Sequence, residues 1–314
     1  MTYWVPLPEG GARSRLDIVE PNSTAVQRFL RREGLANYEP PTVAALLALF
    51  EQQDPGFAFF DVGANMGLYA LLCASLFEPG AVDAFEPTPS TAAVLRKAVR
   101  ANRLDIGVVE AAAGDAAGKA TLHLSDKSDA SNSLVAGFKA SSSGITVETI
   151  RLDDHVAATG HAPAVMKIDV ETFEPAVLAG AVDTIERHRP YIVLEVLNRR
   201  GHDHGVEITE AMAGYGYSFY ELSQTPSWEP SDVVRGIPKS GHLDWLLAPT
   251  PLESDFADRF DRWADRLSAC TADRNSSVPL WLSVKAAMSR GGVREVVASG
   301  RRYVAAIRRG RTST

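Results

Sequence analysis

The eleven residues 59–69, FFDVGANMGLY, constrain the fold of this chain more than any other segment. An apolar run ends at Asp61, the loop formers Gly63, Asn65 and Gly67 follow at alternate positions, and apolar helix-forming sequence then resumes. This pattern predicts a strand, a tight loop and the start of a helix. Glycines in such a loop let the backbone approach a ligand closely, and the first free N–H groups of the helix face that ligand. The segment therefore predicts a nucleotide-type pocket.

The spacing of these residues distinguishes between classes of nucleotide site. A dinucleotide-binding loop needs glycine at the first, third and sixth positions after the strand, but the third and sixth positions here are Asn65 and Leu68. A Walker loop is excluded because no Gly-Lys-Ser/Thr follows. A second apolar run, residues 81–87, predicts a strand that ends in Glu86, 19 residues after Gly67. A carboxylate in that place can hydrogen-bond the ribose hydroxyls of an adenosine.

The composition fits one enzyme domain with additions at both ends. The chain has 314 residues, of which 45% are hydrophobic, so it can bury a large core. Its two cysteines, Cys73 and Cys270, are far apart in sequence and support neither a disulfide framework nor a CxxC metal site. The sequence contains neither a long apolar run of transmembrane type nor the basic and apolar regions of a signal peptide at its start. We therefore expect a cytoplasmic protein.

Beyond the two strands, the chain alternates between predicted helices and strands, as in a parallel sheet. Helices are expected at residues 24–32, 42–52, 90–102 and 174–187, and strands at 107–112, 164–171 and 191–197. Residues 114–126 and 145–156 predict an inserted hairpin. In residues 145–156 polar and apolar residues alternate as in an exposed strand. Residues 217–223 and 242–249 predict an antiparallel pair that closes the sheet.

Five motifs in a fixed order carry a family resemblance. They are DVGANMGLY, FEPTP (85–89), AAAGD (111–115), ETIRLDD (148–154) and KIDVETFEPAVLAGA (167–181), with YIVLEVL following. Together they resemble the FkbM-type S-adenosylmethionine (SAM) methyltransferases, which are mostly O-methyltransferases acting on hydroxyls of sugars, glycolipids or polyketides. The resemblance covers about residues 38–249. One departure is visible, because the family usually has glycine where Thr172 stands; a β-branched residue does not easily adopt a positive φ, so we expect an altered turn after Glu171.

The resemblance implies an α/β, Rossmann-like class I methyltransferase domain at residues 56–250, with a mostly parallel seven-stranded sheet and helices on both faces. A helical cap at 1–55 and a helical, basic extension at 251–314 would flank it. The cofactor implied is SAM, with Glu86 at the ribose, Asp115 at the adenine, and Asp169 near the sulfonium. The methionine side would be lined by Asp61, Gly63, Asn65 and Gly67.

Methyl transfer to oxygen depends mainly on positioning, and a base within reach adds on the order of a hundredfold to ten-thousandfold. Ligands of open α/β sheets bind at the carboxyl ends of the strands, which favours Asp169, the first choice for the catalytic centre. The other candidates are Glu195, His202 and His204. Glu195 lies in an apolar strand and needs a partner or a raised pKa, so a structural ion pair is an open alternative, as is a plain loop position for the histidines. A Mg²⁺ site built from Asp169, Glu195 and Asn198 is a further alternative, although no spacing demands it.

The expected partner is a small-molecule or glycosyl acceptor. Nucleic-acid methylation is disfavoured because the Asn/Asp-Pro-Pro-Tyr motif is missing, the corresponding position reading Asp-Val-Glu-Thr at 169–172. A noncatalytic SAM- or adenosine-binding regulator is the alternative from another class of protein.

The C-terminal segment combines apolar and basic sequence. Residues 254–269 predict a helix with an apolar stripe that must be buried, on the catalytic domain or on a second subunit. The chain carries a net charge of −7, yet residues 285–314 hold eight basic residues and one acidic residue. Three roles are open for this tail: docking on the acidic body, homodimerisation, or weak contact with an anionic membrane surface.

Overall fold

Short strands and helices alternate along the chain, and the computed structural model describes residues 2–125, 128, 130, 132–135, 143–197, 204–223, 226–236 and 243–272. In chain order the strands are β1 (Thr2–Pro6), β2 (Arg15–Val19), β3 (Ala58–Val62), β4 (Ala81–Phe85), β5 (Gly107–Val109), β6 (Ala112–Ala113), β7 (Gly118–Leu124), β8 (Ser143–Ile150), β9 (Pro163–Ile168), β10 (Tyr191–Glu195), β11 (Ser218–Leu222) and β12 (Asp244–Ala248). The α-helices are α1 (Ala25–Glu33), α2 (Pro40–Glu51), α3 (Leu68–Leu76), α4 (Pro89–Asn102), α5 (Leu152–Thr159), α6 (Glu174–Ala179), α7 (Val182–His188), α8 (His204–Ala211) and α9 (Phe256–Ser268).

Seven strands form the central sheet, in the order β11-β12-β10-β9-β3-β4-β5. β12 runs antiparallel to its neighbours β10 and β11, and the other pairings in this sheet are parallel. The central strand β3 is buried along its whole length, as is typical of a strand with helices on both faces. This order confirms the Rossmann-like, mostly parallel sheet with a closing antiparallel edge that the sequence predicts.

Alternate strand residues point into two separate cores. Phe59 of β3 and Val82 of β4 pack in the core that contains α1, α2, α3, α4 and α9. Phe60 and Phe85 pack in the core that contains α5, α6, α7 and α8. The alternation follows from the two-residue period of a strand. Because β3, β4 and β9 are parallel, the loops that follow them lie together at one edge of the sheet.

The segment before β3 contains strands as well as helices, which corrects the prediction of a purely helical cap. β1 and β2 form an antiparallel pair. The Asn102 side chain fixes β2 to the end of α4, since it accepts from the Asp17 N–H and donates to the Asp17 carbonyl, both at 2.8 Å. Leu16 and Ile18 alternate with polar residues in β2 and are buried.

The predicted hairpin is present but shorter than expected. β7 and β8 are antiparallel and, with β6, form a separate three-stranded sheet. The strand alternation expected up to residue 156 ends at Ile150, because Leu152 begins α5. The predicted strand 107–112 is likewise divided into β5, which joins the central sheet, and β6, which joins the small one.

The helix expected at 174–187 is divided into α6 and α7 at Gly180. A Cβ at this glycine would lie 1.9 Å from the Gly114 carbonyl oxygen, so only glycine allows the two backbone segments to approach this closely. Asp153 then supports the start of α7, because its carboxylate accepts from the Asp183 and Thr184 N–H groups at 3.2 and 2.9 Å. The acidic motif at 148–154 thus has a structural role in helix capping.

Helix α9 confirms the buried stripe predicted in the C-terminal segment. Phe256, Phe260, Trp263 and Leu267 are buried in the core that also contains α2. The Trp263 indole donates to Glu51 of α2 at 2.8 Å. The stripe therefore packs on the unit that contains the sheet, which extends to Ala272. The expected roles of residues 285–314 lie outside the described residues.

None of the helices in the described part of the chain combines the length and the apolar character that crossing a bilayer requires.

Candidate active site

The loop after β3 explains the residue types of its motif. Gly63, Asn65 and Gly67 all have left-handed backbones, with φ of +83°, +50° and +80°. Glycine and asparagine are the residues that adopt this region at low cost. Gly63 is required for a second reason, since a Cβ there would lie 1.8 Å from the Asp169 carbonyl oxygen. The loop consequently runs directly along the end of β9.

Glu86 is fixed at the end of β4 by two backbone groups. Its Oε2 accepts from the Asn65 N–H at 3.0 Å and its Oε1 accepts from the Thr88 N–H at 2.8 Å. The carboxylate is buried, with 6% of the residue exposed. These contacts hold a negative group beside the β3 loop, where the sequence predicts the ribose-binding acid.

Asp61 connects the end of β3 to the first turn of α3. Its Oδ2 accepts from the Ala70 N–H at 3.0 Å, and the residue is 1% exposed. Burial raises the pKa of the Asp61 carboxyl to about 7, although the Ala70 hydrogen bond and the charge of Lys167 oppose the rise. Asp61 therefore titrates in the neutral range.

A cavity of about 910 Å³, its open mouth included, lies at this edge of the sheet. Its wall includes five of the predicted site residues, namely Asp61, Gly63, Asn65, Glu86 and Asp169. Apolar side chains form much of the remainder, among them Met66, Leu68, Phe85 and Phe173. A mostly apolar lining with a few polar groups is typical of sites for small organic ligands.

Two predicted cofactor residues lie outside this wall. Gly67 is the N-cap of α3, and a Cβ there would meet the Leu95 side chain at 2.2 Å, so its role in the structure is close packing. Asp115 is exposed in the turn between β6 and β7. The backbone just before it, Ala111–Ala113, lines the cavity instead.

The segment between β7 and β8 contributes one wall of the cavity. Asn132, Ser133 and Leu134 line the cavity. The Ser133 hydroxyl donates to the Glu171 carbonyl at 2.7 Å, and the Ser133 backbone pairs with His123 of β7. The inserted hairpin thus covers one side of the site.

A buried lysine lies behind the cavity wall, next to Asp169. The Lys167 ammonium is 3.4 Å from Asp244 Oδ1 and 3.6 Å from Asp169 Oδ2, and the residue is fully buried. Burial alone would lower the pKa of this ammonium, but nearby carboxylates raise it well above its usual value. In order of effect they belong to Asp244, Asp169, Glu39 and Glu195.

The N-terminal segment adds Tyr38 and Glu39 to this network, where they meet Tyr69 of α3. Tyr38 and Tyr69 line the cavity, and the Tyr69 hydroxyl makes a short hydrogen bond to Glu39 Oε2. Burial raises the pKa of the Glu39 carboxyl to about 7, and the charges of Asp244 and Asp169 add to the rise. Lys167 and the Tyr69 hydroxyl oppose it. Glu39 is therefore poised to exchange a proton near neutral pH.

The remaining base candidates are not brought into the cavity wall among the described residues. Glu195 is 5% exposed and pairs in register with Asp244, close enough to affect the pKa of Lys167. The His204 imidazole is buried at the start of α8, with Nδ1 3.5 Å from Glu207 Oε2. His202 lies outside the described residues, as does Asn198 of the Mg²⁺ alternative. The basicity of these groups toward a substrate stays a prediction.

Comparison with known proteins agrees with this geometry. The family described as Methyltransferase FkbM domain matches residues 61–219 of the chain. The 31-O-demethyl-FK506 methyltransferase FkbM of Streptomyces tacrolimicus is 34% identical over 197 residues, an alignment that covers 52% of this chain and 74% of that protein. The chain belongs to the FkbM methyltransferase family. The resemblance inferred from the five ordered motifs is thereby confirmed, and the protein is a methyltransferase.

Solved structures resemble the FkbM-family chain weakly. A methyltransferase FkbM from Methylobacillus flagellatus KT is 14% identical with a TM-score of 0.37, covering 70% of this chain and 59% of that one. A precorrin-6y C5,15-methyltransferase from Geobacter metallireducens GS-15 is 13% identical with a TM-score of 0.36, covering 65% and 86%. The strand order of the sheet, not these likenesses, defines the fold.

In this FkbM-family chain the turn after Glu171 has positive φ at the position where the family usually has glycine, and its difference from the usual turn stays a prediction. Glu171 and Thr172 have φ of +54° and +76°. The Glu174 carboxylate holds the turn, because its Oε1 accepts from the Val170 and Thr172 N–H groups at 3.1 and 3.3 Å. Burial raises the pKa of the Glu174 carboxyl to about 8.

Proposed function

We propose that this FkbM methyltransferase uses SAM to methylate a hydroxyl group of a sugar, a glycolipid or a polyketide-type metabolite. The observation that carries the proposal is the Glu86 carboxylate, held by the Asn65 and Thr88 N–H groups in the wall of the cavity. A carboxylate fixed in this way accepts hydrogen bonds from two vicinal hydroxyls, the pattern that a ribose presents.

The residues present fit SAM in shape and in charge. Gly63 contributes only backbone to the cavity wall, and its missing Cβ lets the loop lie against the Asp169 carbonyl oxygen. Acidic groups outnumber the buried Lys167 around the cavity, and burial raises the pKa of both Asp61 and Glu39 to about 7. Neighbouring carboxylates add to this rise, and a positively charged ligand would offset the repulsion between them. Asp61 and Gly63 would hold the methionine part and Glu86 the ribose.

Bound SAM supplies an electrophilic methyl group for an acceptor oxygen. This chain's own contribution is to exclude water, orient the acceptor and remove its proton. Tyr69 lines the cavity, and its hydroxyl donates to Glu39 Oε2. When Tyr69 Oη accepts the proton of the acceptor hydroxyl, the proton that Tyr69 already carries passes to Glu39 Oε2. Asp169, in the wall and 3.6 Å from Lys167, is the alternative acceptor of the proton.

Oxygen is the proposed acceptor atom because the relative from Streptomyces tacrolimicus is, by its name, a methyltransferase for 31-O-demethyl-FK506. A carboxylate reached through a tyrosine hydroxyl also suits removal of a proton from an alcohol. We further propose that the acceptor is a small molecule or a glycosyl group. The proposed location is the cytoplasm, where the two buried cysteines stay free thiols.

Cofactor binding is tested first, by calorimetry with S-adenosylhomocysteine. Loss of a charged hydrogen-bond partner costs about 1.5–3 kcal/mol, so Glu86→Ala is expected to weaken binding by roughly ten- to a hundredfold. Glu110→Ala is the matched control, since Glu110 also directly follows a sheet strand but is exposed and paired with Arg96 at 2.6 Å. Equal affinity in the two variants would remove Glu86 from the site.

The reaction is tested by transfer of tritiated methyl groups from SAM into a cell extract, followed by fractionation into lipid, polysaccharide, protein and nucleic acid. Label in an alkali-stable product of the lipid, polysaccharide or small-molecule fraction supports the proposal. Binding of SAM without any transfer would instead support a noncatalytic regulator.

A further inference from the structure

One cluster of histidine and aspartate side chains lies apart from the cavity wall. Asp83 belongs to β4, three positions before Glu86, and therefore lies roughly 10 Å along the strand from the ribose-binding acid. His155 belongs to α5, and His161 follows that helix in the connection to β9. Three separate segments thus meet at this cluster.

The three side chains present their ligand atoms to one point. Asp83 Oδ2 is 2.9 Å from His155 Nε2 and 2.7 Å from His161 Nδ1. The three atoms all lie within 4.8 Å of one another. In a tetrahedral zinc site with bonds of about 2.0–2.2 Å, ligand atoms are about 3.3 Å apart. Side-chain shifts of about 0.5 to 1.5 Å would therefore place all three around one ion.

The surroundings hold the cluster in place. The His155 ring packs edge-on against Phe60 and Phe85, with ring centroids 5.5 and 4.9 Å apart. The Thr159 hydroxyl donates to the His155 carbonyl at 2.8 Å and accepts from the His161 N–H at 3.2 Å, which directs the chain back toward Asp83.

Access is graded across the cluster, from a buried carboxylate to an open imidazole. The side chains of Asp83, His155 and His161 are 6%, 13% and 41% exposed. Gly107 on the neighbouring strand makes room for the carboxylate, since a Cβ there would lie 2.4 Å from Asp83 Oδ1. An ion could enter from the His161 side and keep one position open to water.

We propose that Asp83, His155 and His161 bind one divalent transition-metal ion of the zinc class. Two imidazole nitrogens and one carboxylate oxygen are ligands that zinc, cobalt and nickel ions accept, whereas Mg²⁺ and Ca²⁺ prefer oxygen alone. The ion joins the sheet to α5 and to the connection that leads into β9. Phe85 separates it from the cavity, because the Phe85 ring contacts His155 and also lines the cavity wall. The ion therefore supports one wall of the cavity and does not contact the methyl-transfer site.

The test uses the full chain, purified without a polyhistidine tag and stripped with a chelator. Zn²⁺ is titrated by calorimetry and Co²⁺ by visible absorption, with melting temperature measured in both cases. We expect one ion per chain, a Co²⁺ spectrum of four-coordinate type and a higher melting temperature with Zn²⁺. His161→Ala and His155→Phe are each expected to weaken binding by at least about tenfold. His155→Phe keeps an aromatic ring against Phe60 and Phe85, and His161→Ala changes a half-exposed residue, so folding is preserved in at least one of them.

Two other histidines serve as controls. His188 is exposed at the end of α7, and His188→Ala should bind Zn²⁺ like the wild type. His202 belongs to the His-Asp-His sequence at 202–204, a second possible ligand set. Loss of binding in His202→Ala, unchanged binding in His161→Ala, or no saturable binding by the wild type would each overturn the proposal.

Discussion

Thr172 occupies a backbone conformation that β-branched residues rarely adopt, with φ of +76°. Its side chain is buried, and its hydroxyl has no hydrogen-bond partner within the described residues. Both features cost free energy, about 1–3 kcal/mol for the backbone and a similar amount for the unpaired hydroxyl. The neighbouring residues Val170, Glu171 and Phe173 line the cavity. The strain is thus located in the wall of the site.

Replacing Thr172 by glycine should therefore stabilise the protein. Relief of the backbone strain and removal of the hydroxyl are offset by the greater entropy of glycine in the unfolded chain, about 0.5–1 kcal/mol, which leaves a net gain of about 1 kcal/mol or more. The measurement is the midpoint of urea unfolding. Thr172→Val is the control, because it removes the hydroxyl but keeps the β-branch. If valine stabilises as much as glycine, the backbone at this position is not strained.

Single residues were predictable where the local backbone demanded a particular type. Gly63, Asn65 and Gly67 have positive φ, so the sequence alone identified them. Glu86 was predictable from its distance to that loop. Asp115 was assigned to the adenine by resemblance alone, and its side chain is exposed and outside the cavity wall. No local pattern distinguishes such a turn acid from a ligand contact.

Secondary-structure elements were predictable where the hydrophobic period extended over several turns. The stripe of α9 covers three turns and identified the helix and its buried face. The β1–β2 pair was missed because β2 contains Arg15 and Asp17 and so lacks the nearly continuous apolar run that identified β3 and β10. The break at Gly180 was missed because the groups that contact it and the start of α7, Gly114 and the Asp153 carboxylate, are distant in sequence.

Helix α9 should therefore contribute strongly to stability through its stripe and weakly through its exposed ion pairs. Trp263 is 2% exposed and packs against Phe77, with ring centroids 5.7 Å apart, so Trp263→Ala is expected to cost about 3–5 kcal/mol. Arg262→Ala is the matched control: Arg262 also contacts Glu51, at 3.3 Å, but its side chain is 47% exposed, and its loss should cost less than about 1 kcal/mol. Equal unfolding midpoints for the two variants would show that the stripe does not hold α9 on the core.

At the scale of the whole molecule, the charged network behind the cavity is assembled from both ends of the described chain. Thr42 of α2 donates to Asp244 of β12, 202 positions later, and Asp244 in turn contacts Lys167. Glu39 belongs to the segment before α2 and reaches the hydroxyl of Tyr69. The sequence could not predict these contacts, since no spacing rule connects residues so far apart. The local sequence Tyr-Glu-Pro-Pro at 38–41 predicts only the start of a helix.

The proton relay through Tyr69 to Glu39 predicts a specific pH dependence. Because burial raises the pKa of Glu39 to about 7, the carboxyl accepts a proton only above that pH, and the turnover number at saturating SAM should rise through about pH 7. Glu39→Gln keeps an oxygen that accepts from Tyr69 but removes the titration, so turnover should fall by roughly a hundredfold or more and lose this rise. Tyr69→Phe should lose the same rise while keeping Glu39.

Stability measured without substrate gives an independent readout of the same group. A carboxyl whose pKa is raised by folding stabilises the native state at low pH, and this contribution is lost as pH rises toward the folded value of about 7. Between about pH 4.3, the ordinary pKa of glutamate, and about pH 7, the free energy of unfolding of Glu39→Gln should therefore fall less than that of the wild type. Asp169→Asn separates the two candidate bases, since it leaves Glu39 titrating. Should Asp169→Asn abolish turnover while Glu39→Gln keeps both the rate and its pH profile, the proton would pass to Asp169 and the relay would be wrong.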